Sequence, residues 1–202
     1  MFSTVPSKIA GDVWTEAMYD TYVRDNLNAG VLRPVGSGVL TADSASISFT
    51  GLSSVDLFAL VAVVELRSTA VTTSTSWLMR FNGDAGSNYV YTRGWGRNAT
   101  TTSAAATDTG IQGLNMPGAS SPAGVFGVHV IQFSGLLVNS QRVSTWVCAS
   151  KGANASNSAF VGVNAGRWIN TTAPIESIAF TPLAGVLAKG SKLHLYGIGE
   201  AA

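Results

Sequence analysis

From residue 36 onward the chain runs in short stretches in which apolar and polar positions alternate, closed by clusters of Gly, Pro, Asn or Ser. Residues 55–66, 76–82, 88–95, 124–134, 142–150, 174–182 and 191–198 are rich in the β-branched and aromatic side chains that suit a pleated, half-buried surface. Each is predicted to be a strand. Close spacing, with no helix-length amphipathic pattern in between, argues against a parallel α/β sheet. It predicts an all-β, jelly-roll-like antiparallel β-sandwich over residues 36–202. Residues 97–110, "RNATTTSAAATDTG", are small and polar without a pattern, and read as a loop.

The first 35 residues follow another rule. Residues 1–11 lack periodicity and contain Pro6 and Gly11, as an arm would. The stretch "DVWTEAMYDTYVRDNLNAG" then places Asp12 as N-cap, Glu16 in the first turn and Gly30 at the C-terminal stop of one amphipathic helix. Trp14, Met18 and Tyr22 recur at helical spacing on one large aromatic face. A lone helix of that length is marginal in water, so this face needs a partner and is predicted to anchor the chain. "VLRPVGSG" after it reads as a linker.

Composition narrows the function. Only 11% of the 202 residues are charged, against about 25% in an average soluble protein. A net charge of +1, with no basic run, gives no field to attract a phosphate backbone, so no nucleic-acid partner is expected. The longest apolar run, "LFALVAVV", is far short of the roughly 20 residues of a spanning helix, and no membrane insertion is expected. The N-terminus lacks the apolar core of a secretion signal. Cys148 is the only cysteine, which rules out an internal disulfide framework.

Candidate chemistry is sparse. Alternation turns Leu193 and Leu195 inward, so His194 faces outward with Lys192 and Tyr196. His129 shares a face with Ile131 and Phe133 and reads as a core or interface histidine. Cys148 shares a face with Trp146 and reads as a small core residue. No nucleophile elbow, zinc-protease motif or phosphate loop occurs. Two histidines and one cysteine cannot complete a tetrahedral zinc site unaided. No catalytic residue, metal or cofactor is assigned.

The densest polar stretch is "MRFNGDAGSNYVYTRGWG", residues 79–96. Asn82, Asp84, Ser87 and Asn88 around Gly83 and Gly86 resemble a calcium loop, but a lone carboxylate binds a hard cation weakly. The mechanical reading is a turn that locks two neighbouring strands, its acid closing the loop. Arg80, Tyr89, Tyr91 and Arg93 then flank it, where arginine can stack or pair. Trp95, Tyr91 and Trp168 are candidates for an aromatic platform that binds a sugar ring.

The run "LMRFNGDAGSNYVYTR" and the ending "AGRWINTTAPIESIAFTPLAGVLAKGSKLHLYGI" resemble a recurrent β-sandwich domain of tailed-bacteriophage virion structural proteins, of minor tail or fibre-like type. "GDVWTEAMYDTYVRDNLNAG" is similar to an N-terminal segment that often accompanies tail and fibre components. The resemblance implies a non-enzymatic subunit of tail, fibre or baseplate type, carried on the virion, made in the host cytoplasm, and assembled with other virion proteins and as a homotrimer. A host-surface glycan receptor module and a head decoration or spike protein are the alternatives it leaves. It also singles out Arg80, Asn82, Gly83, Asp84, Gly86, Asn88 and Tyr89 as a signature loop, and Leu195, Tyr196, Gly197 and Ile198 as a closing strand.

Overall fold

The computed structural model describes residues 33–52, 59–97, 100–134, 142–151, 159–170 and 172–198. The arm and the helix expected from the sequence, with Trp14, Met18 and Tyr22, lie outside these residues. Twelve strands are described: β1 (Arg33–Val39), β2 (Ile47–Thr50), β3 (Ala59–Leu66), β4 (Ser74–Phe81), β5 (Tyr89–Arg97), β6 (Thr100–Asp108), β7 (Ile111–Pro117), β8 (Gly127–Ser134), β9 (Arg142–Lys151), β10 (Ala159–Trp168), β11 (Ser177–Pro182) and β12 (Lys192–Ile198). They form an eight-stranded sheet, β1-β12-β3-β8-β9-β10-β5-β6, and a four-stranded sheet, β2-β11-β4-β7. Every pairing is antiparallel.

Set aside β5–β6 and β9–β10, and the remaining order is β1-β12-β3-β8 facing β2-β11-β4-β7. The chain then changes sheet at every step except from β4 to β7, which is the jelly-roll path. The two extra hairpins both join the larger sheet beyond β8 and widen it. The all-β sandwich expected from the pattern is the fold of the protein.

Alternation explains the core. Leu60, Ala62, Val64 and Leu66 of β3 and Leu193 and Leu195 of β12 point inward and are buried. They meet Trp77, Met79 and Phe81 of β4, Ile111, Leu114 and Met116 of β7, and Ile178 and Phe180 of β11. Strand β10 reverses the usual sense, because its inward positions are Gly162, Asn164, Gly166 and Trp168 while Val163 stays 59% exposed. Strand β7 packs so closely there that a methyl group on Gly162 would strike Leu114, and one on Gly166 would strike Ile111.

Two sequence readings are corrected. Residues 97–110 are not a patternless loop, since Thr100–Asp108 pairs with β5 along its whole length. The supposed linker at "RPVGSG" is β1, paired with β12. Neither strand carries an apolar stripe, because each lies at a sheet edge with little to bury.

Candidate functional site

The "NGDAGSN" segment joins β4 to β5, but these are not neighbouring strands: β4 lies in the small sheet and β5 in the large one. Contrary to the hairpin reading, the segment crosses between layers. It begins with a tight turn in which the Asp84 N–H donates to the Phe81 carbonyl at 2.9 Å. Asn82 and Gly83 both take positive φ, 53° and 67°. Asparagine and glycine are the residues that tolerate this backbone at least cost.

Asn82 and Asp84 tie the segment to two different elements, and Arg80 and Tyr89 hold its flanks. Asn82 donates to the Pro174 carbonyl at 2.7 Å and accepts from the N–H groups of Glu176 and Ser177 at 2.7 and 3.1 Å, ahead of and entering β11. Asp84 accepts from the Gly86 N–H at 2.8 Å, from the Asn88 amide at 2.9 Å, and from the Trp168 indole N–H of β10 at 2.7 Å. The Tyr89 hydroxyl accepts from the Phe81 N–H at 3.0 Å and donates to the Asp84 carbonyl at 3.1 Å. Arg80 donates to the Thr109 carbonyl at 2.8 Å and so holds the β6–β7 turn. Phe81, Tyr89, Trp168 and Phe133 pack beneath as an aromatic cluster.

Electrostatics fit a lock. Burial alone would raise the Asp84 pKa, but the Trp168, Asn88 and Gly86 donors and the Arg80 charge outweigh it and hold the carboxyl below its ordinary range. Burial pushes the Tyr89 phenol up to about 12, so it remains a hydrogen-bond donor at neutral pH. Both carboxylate oxygens of Asp84 face N–H donors, which repel a cation. The Asn82 oxygen is likewise occupied by two amides. The donor set does not suit a hard cation, which wants a shell of converging oxygens.

Asp84→Ala removes the acceptor that joins the crossing segment to β10. We expect a loss of about 1–3 kcal/mol, the usual cost of deleting one member of a charged hydrogen-bond cluster. Urea unfolding of the variant measures it, and a loss below about 0.5 kcal/mol would contradict the lock. Calcium and chelator should leave the melting temperature of the parent unchanged; a shift of many degrees would restore the cation reading.

The aromatic candidates separate. Trp168 and Tyr91 are buried, 1% and 4% exposed, so their ring faces are not open to a ligand. Tyr91 instead donates to the Gln112 side-chain oxygen at 2.7 Å. Trp95 is half-buried against the core, and the Arg93 guanidinium lies over its ring at 5.0 Å. The signature loop and Trp168 are thus brought together, whereas Trp95 sits farther along β5. Asn164, which the sequence reading passed over, is buried beside this row and donates to the Gln112 carbonyl at 3.2 Å. The signal available was its place among glycines in a strand.

His129 is fully buried, with Ile131 and Phe133 on its face. Its Nε2 accepts from the Trp77 indole N–H at 3.2 Å, and burial lowers its pKa to about 3. Burial therefore keeps the imidazole neutral at ordinary pH, with Trp77 as its hydrogen-bond donor. His194 lies on the outer side of β12 with Lys192 and Tyr196, and Lys192 pairs with Glu65 at 2.8 Å.

Comparison with protein-family models, curated proteins and solved structures finds no match to this chain.

Proposed function

We propose that the protein is a non-enzymatic structural subunit that assembles with copies of itself, of the tailed-bacteriophage tail, fibre or baseplate type that its loop and closing strand resemble. The observation that carries the assembly reading is the outer face of the eight-stranded sheet. Val128 and Val130 of β8, Val163 of β10 and Val90 of β5 stand 41%, 44%, 59% and 37% exposed. The register joins Val63, Val130, Val147 and Val163 in one row across four adjacent strands. Val63, Val130 and Val163 give this face an apolar strip that an identical neighbour can cover, flanked by Glu65, cross-strand from Val128, and Arg167, cross-strand from Val90. The virion setting rests on the sequence resemblance, and a homotrimer is the assembly it implies.

Two features support a reading without catalysis. The buried histidine engages a tryptophan, and the best-placed acid is spent on holding two sheets together. A glycan-receptor role retains only Trp95 of its three aromatic candidates with any exposed ring.

A lysine placed in the valine row tests the assembly. Val130→Lys and Val163→Lys should each fold, since both positions are exposed, yet weaken self-association about a hundredfold, equivalent to roughly 3 kcal/mol. Sedimentation of the parent and variants reads this directly. A parent that sediments as a monomer at every concentration, or variants that associate as tightly as the parent, would overturn the reading.

A further inference from the structure

A sandwich has four edges, and an unprotected edge presents a row of free N–H and C=O groups to any passing strand. Among the described residues the edge strands are β1 and β6 of the large sheet and β2 and β7 of the small one. Three are blunted. Strand β1 carries Pro34 and a register shift between Pro34 and Gly36. Strand β2 is only four residues long. Strand β7 ends at Pro117, and its pairing with β4 shifts register between Thr75 and Trp77.

Strand β6 has none of these devices. Its nine residues, "TTTSAAATD", pair with β5 in unbroken register from Arg97↔Thr100 to Tyr89↔Asp108. It contains no proline and no glycine, and Asp108 at its end is its only charge. Ser103, Ala105, Ala106 and Thr107 are exposed. Strand β6 also belongs to one of the two hairpins added to the jelly-roll path, so the edge it presents replaces that of β8.

We propose that β6 is a self-pairing edge, joining antiparallel to β6 of a second copy across a twofold axis. Antiparallel pairing of identical strands needs no second sequence. Centred on Ala104, it sets Ser103 against Ala105 of the other copy and Asp108 against Thr100, so that no like charges face each other. Small side chains leave both faces of the joint clear, and two eight-stranded sheets become one continuous sheet. A twofold contact of this kind doubles whatever assembly the valine face builds.

Lysine guards test this without disturbing the core, because Ser103 and Ala105 are exposed. In the Ser103→Lys/Ala105→Lys chain the register opposes lysine to lysine, and the mass of the assembly by light scattering should halve. A Ser103→Glu/Ala105→Glu chain should behave the same way alone, and mixing the two should restore the full mass with one copy of each per joint. In an otherwise unaltered chain, Ala104→Cys should oxidise to a dimer whose disulfide maps to position 104. A full-mass lysine variant, no recovery on mixing, or no cross-link at 104 would overturn the proposal. Val130→Lys and Val163→Lys should leave the 104 cross-link intact, which separates failure of this edge from failure of the valine face.

Discussion

Trp77→Ala should cost about 3–5 kcal/mol of folding stability, the range for emptying a large aromatic site in a packed core. Trp77 is fully buried on β4, where its ring meets His129 edge-on at 5.0 Å and Phe180 at 5.5 Å. Its indole N–H is the donor to His129, so removal both opens a cavity and strips a buried imidazole of its hydrogen bond. For a chain of this size the melting temperature should fall by roughly 6–20 °C. Trp77→Phe, which refills most of the volume but loses the donor, should cost less. Calorimetry of both variants decides the matter, and an alanine variant that melts within about 2 °C of the parent would show that the two sheets do not depend on this contact.

Acid should unfold the protein through His129. Above pH 6.5 the residue is neutral in both folded and unfolded chains and contributes nothing to the pH dependence. As pH falls through 6.5 the unfolded chain takes up a proton that the folded chain refuses until about 3, so the unfolded state gains. Stability should therefore drop by about 1.4 kcal/mol per pH unit from near pH 6 down to near pH 4. Asp84 acts lower. Its depressed pKa adds stability that is present above 3.8 and is lost as pH falls below that. His129→Gln, whose side-chain oxygen can accept from Trp77 but does not titrate, should flatten the slope between pH 6 and pH 4.5. Denaturant unfolding across that range reads both chains; parallel slopes would mean that other groups govern the acid response.

Much of the candidate site was legible from residue types. Asp84 among Asn and Gly residues already pointed to a loop closed by its own acid. Its partner could not be read, because Trp168 lies 84 residues away in sequence and reaches the carboxylate only when β10 joins β5. The same distance hid the burial of Tyr91 and Trp168, since an aromatic side chain in an alternating strand looks alike whether it faces solvent or a second sheet. His129 was placed with its apolar neighbours because Ile131 and Phe133 repeat at period two, yet its hydrogen bond to Trp77 depends on how two sheets stack.

Alternation determined the β class, most of the interior strands and the inward face of β12, because a strand half in water must separate its apolar from its polar side chains. Periodicity says that a strand has two unlike faces but not which one the fold buries. In β10 Val163 points outward while Gly162 and Gly166 point inward, and only the close approach of β7 explains the exchange. Edge strands such as β1 and β6 bury little and so wrote little into the residue pattern. Their places came from backbone pairing, which depends on the partner strand more than on the side chains. Local chemistry determined the turn at Asn82 and Gly83; the tertiary structure alone decided that this turn bridges two sheets and which described strands stand at the edges.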